Sequence, residues 1–335
     1  MKTKIFKLSV LTLAIALLAN ISAKSQQTGS DDADNQIKNY SKTYPLDGND
    51  KIQINNSYGK VTVNTWNKNE VKVDVQIKLS GRNSKKQLED ITISDSKNAN
   101  MVTFKTNIGK QRNSWSWWRM LGDSFHNMEI NYTVYMPAKN ALNVTDHYGA
   151  ITLPDLEGTV NINNAYGSVS AKSLNGADNI ISVSYGSATI ESIKSVELNI
   201  KYGSLSIGSV DRLNANVNYS GVKIAKLNVS GNINARYGGG LHIAEVGRGL
   251  KNLTVNSSYS DVKIGLANDI SADFNVTVKY GGFNYNGHQV SVMTQTPGTN
   301  RHGWSPTQNY IGHLGKGDAD KTINISSTYG SVRFE

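Results

Sequence analysis

The chain is 335 residues long, contains no cysteine and carries a formal net charge of +9. Disulfide frameworks and thiolate metal sites are therefore excluded, and packing must supply the stability. The basic balance points towards acidic partners.

At the N-terminus, Lys2, Lys4 and Lys7 precede an apolar run from Leu8 to Ala19 that is closed by Asn20. This is the pattern of a secretory signal peptide, spanning 1–25 with Gln26 as the mature start after an Ala23-x-Ser25 site. The run is shorter than the roughly 20 apolar residues that span a bilayer. With no cysteine after the cut, a lipoprotein is excluded. The expected location is the periplasm, the outer-membrane surface or the exterior.

Residues 26–50 are read as a mostly disordered leader, because Gln27 to Ser41 is polar and lacks an apolar period. The segment 51–129 reads as a β-rich capping subdomain. Its strands run over Lys51 to Ser80 and Asp90 to Thr106, with a short helix around Lys85 to Glu89. Cleavage of the signal leaves 31 basic against 26 acidic residues. The excess is concentrated between Gly81 and Met120, where Arg82, Lys85, Lys86, Lys97, Lys105, Lys110, Arg112 and Arg119 meet only Glu89, Asp90 and Asp95.

The same segment holds three of the five tryptophans, Trp115, Trp117 and Trp118, interleaved with Lys110, Arg112 and Arg119. Trp and Arg are enriched at binding hot spots, and Trp with basic residues suits a membrane interface. These six residues are the binding candidates. The structural alternative is that the rings fold back over the open end of the repeat array.

Repetition dominates the rest of the chain. Tyrosine followed by Gly or Ser recurs at Tyr58, Tyr148, Tyr166, Tyr185, Tyr202, Tyr219, Tyr237, Tyr259, Tyr280 and Tyr329. From Tyr148 to Tyr280 the spacings are 17 to 22 residues, the length of one solenoid coil. Four residues before each Tyr an apolar residue recurs, from Ile54 to Ile325. A small polar residue follows it, from Asn55 to Ser326. Strict alternation would place every Tyr on the buried face, and Tyr202→Ala would then cost about 3–5 kcal/mol. Beyond the Tyr the apolar residues shift to odd offsets, so the chain must bulge or turn a corner. Gly59, Gly149, Gly167, Gly186, Gly203, Gly238, Gly281 and Gly330 follow the Tyr there, and access to positive φ is the expected reason. Ser220 and Ser260 replace Gly in the other two copies. The expected fold is all-β: a parallel β-helix or β-solenoid over 130–335, with an excursion looped out at about 286–320.

The runs Tyr132-Thr-Val-Tyr-Met-Pro-Ala-Lys139, His147-Tyr-Gly-Ala-Ile-Thr-Leu153 and Asn164-Ala-Tyr-Gly-Ser-Val-Ser170 resemble the adhesin-like bacterial domains of unknown function. These are relatives of the auto-transporter adhesin head domain. The resemblance covers roughly Ile52 to Phe334 and implies an exported β-solenoid, with no catalytic residue to carry across.

The titratable residues form no recognisable catalytic or metal-binding pattern. His288, His302 and His313 have spacings that match no compact ligand motif, so no metal and no cofactor are expected. The acids Asp155, Glu157, Asp178, Glu191, Asp211, Asp261 and Asp269 share no position on adjacent coils, which joint acid/base work would require. Phosphate loops and Ser-His-Asp signatures are missing. The expectation is a cell-envelope or surface structural/binding protein of adhesin-like type. Its partner would be an envelope or extracellular glycan or protein, or the membrane surface, and not nucleic acid. The alternative is a carbohydrate-active β-helix lyase or hydrolase with its site in the loops.

Overall fold

The computed structural model describes residues 35–81, 84–109, 128–267, 270–285, 290–297, 306–316 and 319–335. The expected signal peptide and the Trp115 segment lie outside the described residues.

The fold is an all-β solenoid. Each coil runs up to its Tyr on one parallel ladder, turns at the Tyr-Gly corner and returns on a second. On the first ladder Ala141–His147, Val160–Ala165 and Asn179–Ser184 pair in parallel and in register. On the second, Ala150–Leu153 and Ser168–Leu174 do the same. From Ser187–Lys201 onward, one bent strand supplies the second ladder of one coil and the first ladder of the next, as in Ser204–Asn218 and Gly221–Arg236. The space between the ladders is filled by one buried cluster of Val, Ile and Leu, the burial that drives the fold.

The expected apolar rows are where alternation put them. Ile54, Ile162, Leu198 and Ile233 are wholly buried four residues before the Tyr, and Val61, Ile151 and Val262 three after it. After Gly240 the pattern resumes one residue late: Leu241 and Ile243 pair with Val222 and Ile224.

The tyrosines themselves are a correction. All ten have φ between 52° and 65°, and this left-handed turn rotates each ring out of the core. Nine of them, all but Tyr58, are 45–52% exposed. The residue two before each Tyr, such as Val183, Ile200 or Val217, is inward by the same alternation and is the last core position before the corner. The glycines differ from expectation too. Among the repeat glycines only Gly59 has a positive φ, of 156°. The others are required by proximity: a Cβ on Gly167, Gly186 or Gly203 would stand 1.7 Å from the carbonyl oxygen of the corresponding Gly one coil earlier.

Both ends differ from the sequence reading. Lys51–Ser57 and Val61–Thr65 pair in parallel with Ala141–His147 and Ala150–Leu153. The Tyr58 coil is thus the first rung of the solenoid, continuous with it. Part of the expected leader is the strand Gln36–Pro45, antiparallel to Glu70–Leu79. Tyr40 and Tyr44 supply the apolar anchors that its polar composition hid, and both hydroxyls donate to the Asp95 carboxylate. Burial pushes the Asp95 pKa up, but these two bonds outweigh it and hold the group below its ordinary value. The short helix is present as Ser84–Glu89.

At the other end the final coil is interleaved. Thr322–Thr328 lies between Asn252–Ser258 and Ala272–Lys279, parallel to both. The stack therefore runs Tyr259, Tyr329, Tyr280. The excursion forms a hairpin of Val290–Pro297 and Thr307–Leu314, whose second strand pairs antiparallel with Ala272–Lys279 and covers that edge.

Candidate binding face

Each corner is locked to its neighbour. The Tyr202 N–H donates to the Asn218 carbonyl at 3.1 Å, and the Tyr219 N–H to the Arg236 carbonyl at 2.9 Å. The left-handed turn brings the ten rings into a single column, with centroids 4.7–5.2 Å apart and planes within 4–12° of parallel. That spacing is the strand separation of a sheet, about 4.8 Å. Because the ring faces cover one another, the column offers solvent its edges and hydroxyls.

Beside the column, the polar row three residues before each Tyr points outward as expected. In the middle of the stack it becomes an asparagine ladder: Asn216 donates to Asn199 at 3.4 Å, Asn234 to Asn216 at 3.0 Å and Asn256 to Asn234 at 3.1 Å. One row further out, Asn232 donates to Asn214 at 3.4 Å. The residue immediately before each Tyr completes the face with Lys201, Asn218 and Arg236, which register on successive rungs. A shallow groove there is lined by Asn216, Asn218, Asn234 and Arg236. The sequence reading did not single out this last row, although the alternation that placed the Asn row outward places it outward as well.

Three of the acids on the coils serve the backbone or a neighbouring side chain. Asp155 accepts the Ser173 N–H at 3.1 Å, Asp261 the Ser331 N–H at 2.8 Å, and Asp211 the Asn228 amide at 2.9 Å. His313 sits on Asp273 at 2.9 Å and near Ser271 at 3.3 Å, while His288 and His302 lie outside the described residues. Among the described residues no group of three or more His, Asp or Glu is placed to hold a metal ion. The binding candidates Trp115, Trp117, Trp118, Lys110, Arg112 and Arg119 also fall outside them.

Asp146 is an acid buried in the core. It lies two residues before Tyr148, fully buried, and neither carboxylate oxygen meets a hydrogen-bond donor in good geometry. Its rung neighbours are Asn56 and Asn164. Desolvation raises its pKa to about 7, opposed in part by the His147 backbone and the Asn56 amide. Asn56, Asn164, Ser257 and Ser327, which occupy the same position on other coils, donate to backbone carbonyls at or next to the Tyr-Gly corner. A carboxylate cannot donate, but a carboxylic acid can.

The class is thus an all-β parallel solenoid that presents a continuous aromatic and amide flank. The family model Toastrack DUF4097 matches residues 49–305, and the chain belongs to that family. Similar solved structures include a "putative adhesin" from Parabacteroides distasonis at 10% identity, covering 89% of this chain and 97% of that one with a TM-score of 0.43. A "putative adhesin" from Bacteroides fragilis is 14% identical, with coverages of 89% and 97% and a TM-score of 0.38. A "putative lipid binding protein" from Parabacteroides distasonis is 9% identical, again covering 89% and 97%, with a TM-score of 0.32. No curated protein matches.

Proposed function

We propose that this protein is an exported cell-envelope or surface binding protein of adhesin-like type that holds an extended glycan or protein segment along its amide face. The reading is carried by one observation: amide side chains repeat outward, in register, beside a half-exposed tyrosine column. A ladder that offers the same donors and acceptors at four successive rungs, Asn199, Asn216, Asn234 and Asn256, suits a ligand that is itself a linear repeat, because weak contacts at successive rungs add through effective concentration. The Trp115 segment is the second candidate contact, and its basic and indole side chains suit the same envelope setting.

The test is a glycan panel and an envelope pull-down with the purified exported chain, alongside fractionation of the producing cells. Asn216→Ala/Asn234→Ala is expected to weaken retention while leaving the thermal midpoint within a few degrees. Loss only in Trp115→Ala/Trp117→Ala/Trp118→Ala would move the contact to that segment. Recovery of the protein in the cytoplasm, or no retention on any envelope fraction, would overturn the reading.

A further inference from the structure

The groove at the Tyr219 and Tyr237 rungs is lined by Asn216, Asn218, Asn234 and Arg236. Asn216 and Asn234 spend amide hydrogens within the ladder. Asn218 and Arg236 are different: among the described residues no hydrogen bond or ion pair engages their side chains, although Arg236 is exposed and Asn218 half-buried. Lys201 occupies the same row two rungs away and is likewise exposed, with no acid partner among the described residues. The nearby acid on this face, Glu197, accepts from Asn199 at 3.4 Å.

Two cations therefore stand in one row on strands about 10 Å apart, twice the rung separation, with an amide between them and the asparagine ladder alongside. A guanidinium is the side chain best matched to a carboxylate, which it engages through two parallel N–H donors. Amides in a ladder offer both donors and acceptors, the complement of vicinal hydroxyls. An extended 4-linked sugar chain advances by close to one rung per residue, so carboxylates on alternate residues meet Lys201 and Arg236 together.

We propose that this groove is a subsite for a linear acidic glycan of the uronate class. Arg236 and Lys201 bind carboxylates two sugars apart, while Asn218 and the Asn216/Asn234 pair bind the hydroxyls between them. The proposal rests on the amide-face reading and adds the charge of the ligand.

The experiment titrates the exported chain with hexameric oligouronates from polygalacturonate, alginate and hyaluronate, each against its carboxyl-reduced counterpart. At least one acidic oligomer is expected to bind about tenfold tighter than its reduced form, a difference of one charge-assisted contact. Arg236→Ala and Lys201→Ala are each expected to remove most of that preference at an unchanged thermal midpoint, with Arg236→Lys recovering part of it. Lys172→Ala, on the second ladder, controls for general charge and should change nothing. Equal binding of acidic and reduced forms, abolished by Asn216→Ala/Asn234→Ala, would overturn this inference and leave the amide-face reading standing. Binding of none of the oligomers overturns the proposal, and the envelope pull-down then decides the wider reading separately. Equal losses from Arg236→Ala and Lys172→Ala would also overturn it, showing diffuse attraction without a subsite.

Discussion

Ten tyrosines in the left-handed region store backbone strain, because an L-residue with a bulky side chain pays about 1–2 kcal/mol there. Each inner ring stacks on two neighbours, and an aromatic pair returns about 0.5–1.5 kcal/mol beyond its area. The two terms are comparable, so the column makes the corner tolerable. Tyr202→Ala keeps the strain and loses both stacks, at 4.9 Å each. The expected cost is about 1–3 kcal/mol, below the roughly 3–5 kcal/mol that a buried ring would lose. Tyr202→Phe should lie within about 0.5 kcal/mol of wild type. Chemical denaturation measures both, and a cost above the upper figure for Tyr202→Ala would restore an inward ring.

Asp146 makes a second residue-scale prediction. Its folded pKa, about 7, lies above the ordinary value of 3.8, so the folded state binds the proton more tightly than the unfolded chain. Stability contributed by the protonated form is full below the unfolded value and is lost as pH rises from about 4 towards about 7. The bound on that loss is about 4 kcal/mol. Tyr132, also buried, is pushed upward by its own desolvation and by Asp146, and stays neutral throughout. Asp50 and Asp95 have lowered pKa values, so their contributions disappear only at lower pH. The thermal midpoint is expected to be higher near pH 5 than near pH 8. Asp146→Asn, which supplies the amide found in Asn56 and Asn164, should remove that difference. A variant with an unchanged pH slope would show that the buried carboxyl is not its source.

At the scale of elements, the ends of the array need covering, because an unpaired edge strand recruits other chains. Gln36–Pro45 lies beyond Glu70–Leu79, and Glu70–Leu79 beyond Met128–Met136, all antiparallel. At the far end Thr307–Leu314 covers the strand Ala272–Lys279. Replacing 286–318 by a short Gly/Ser linker should leave the coils folded by circular dichroism while exposing that edge. Light scattering should then show concentration-dependent association. A monodisperse variant would mean that another device protects the edge.

For the whole molecule, the central rungs are interchangeable. Ser187–Lys201, Ser204–Asn218 and Gly221–Arg236 pair in continuous register, apart from one irregularity between Val210 and Arg212. Deleting Gly203 to Tyr219 joins Tyr202 to Ser220 and keeps a Tyr-Ser corner. The product should be folded, shorter by one rung and cooperative in unfolding. A disordered spectrum would refute the rung assignment.

The period, the apolar rows and the outward Asn row were legible because they are local: alternation fixes which side chains share a face. The late restart after Gly240 and the buried place of Phe334 obey the same alternation. The tyrosine orientation was not legible, since alternation holds only while φ stays negative, and nothing local announces that Tyr rather than Gly takes the left-handed turn. That choice is made between coils. A Cβ at the Gly position would strike the carbonyl one rung below, whereas a Tyr ring finds another ring at the sheet spacing. The interleaving of the Tyr329 coil between Tyr259 and Tyr280 and the pairing of Gln36–Pro45 likewise depend on partners distant in sequence. The amino-acid order determined a parallel solenoid of Tyr-Gly coils; only stacking decided that its tyrosines face solvent, because each ring finds its partner one coil away and not within its own strand.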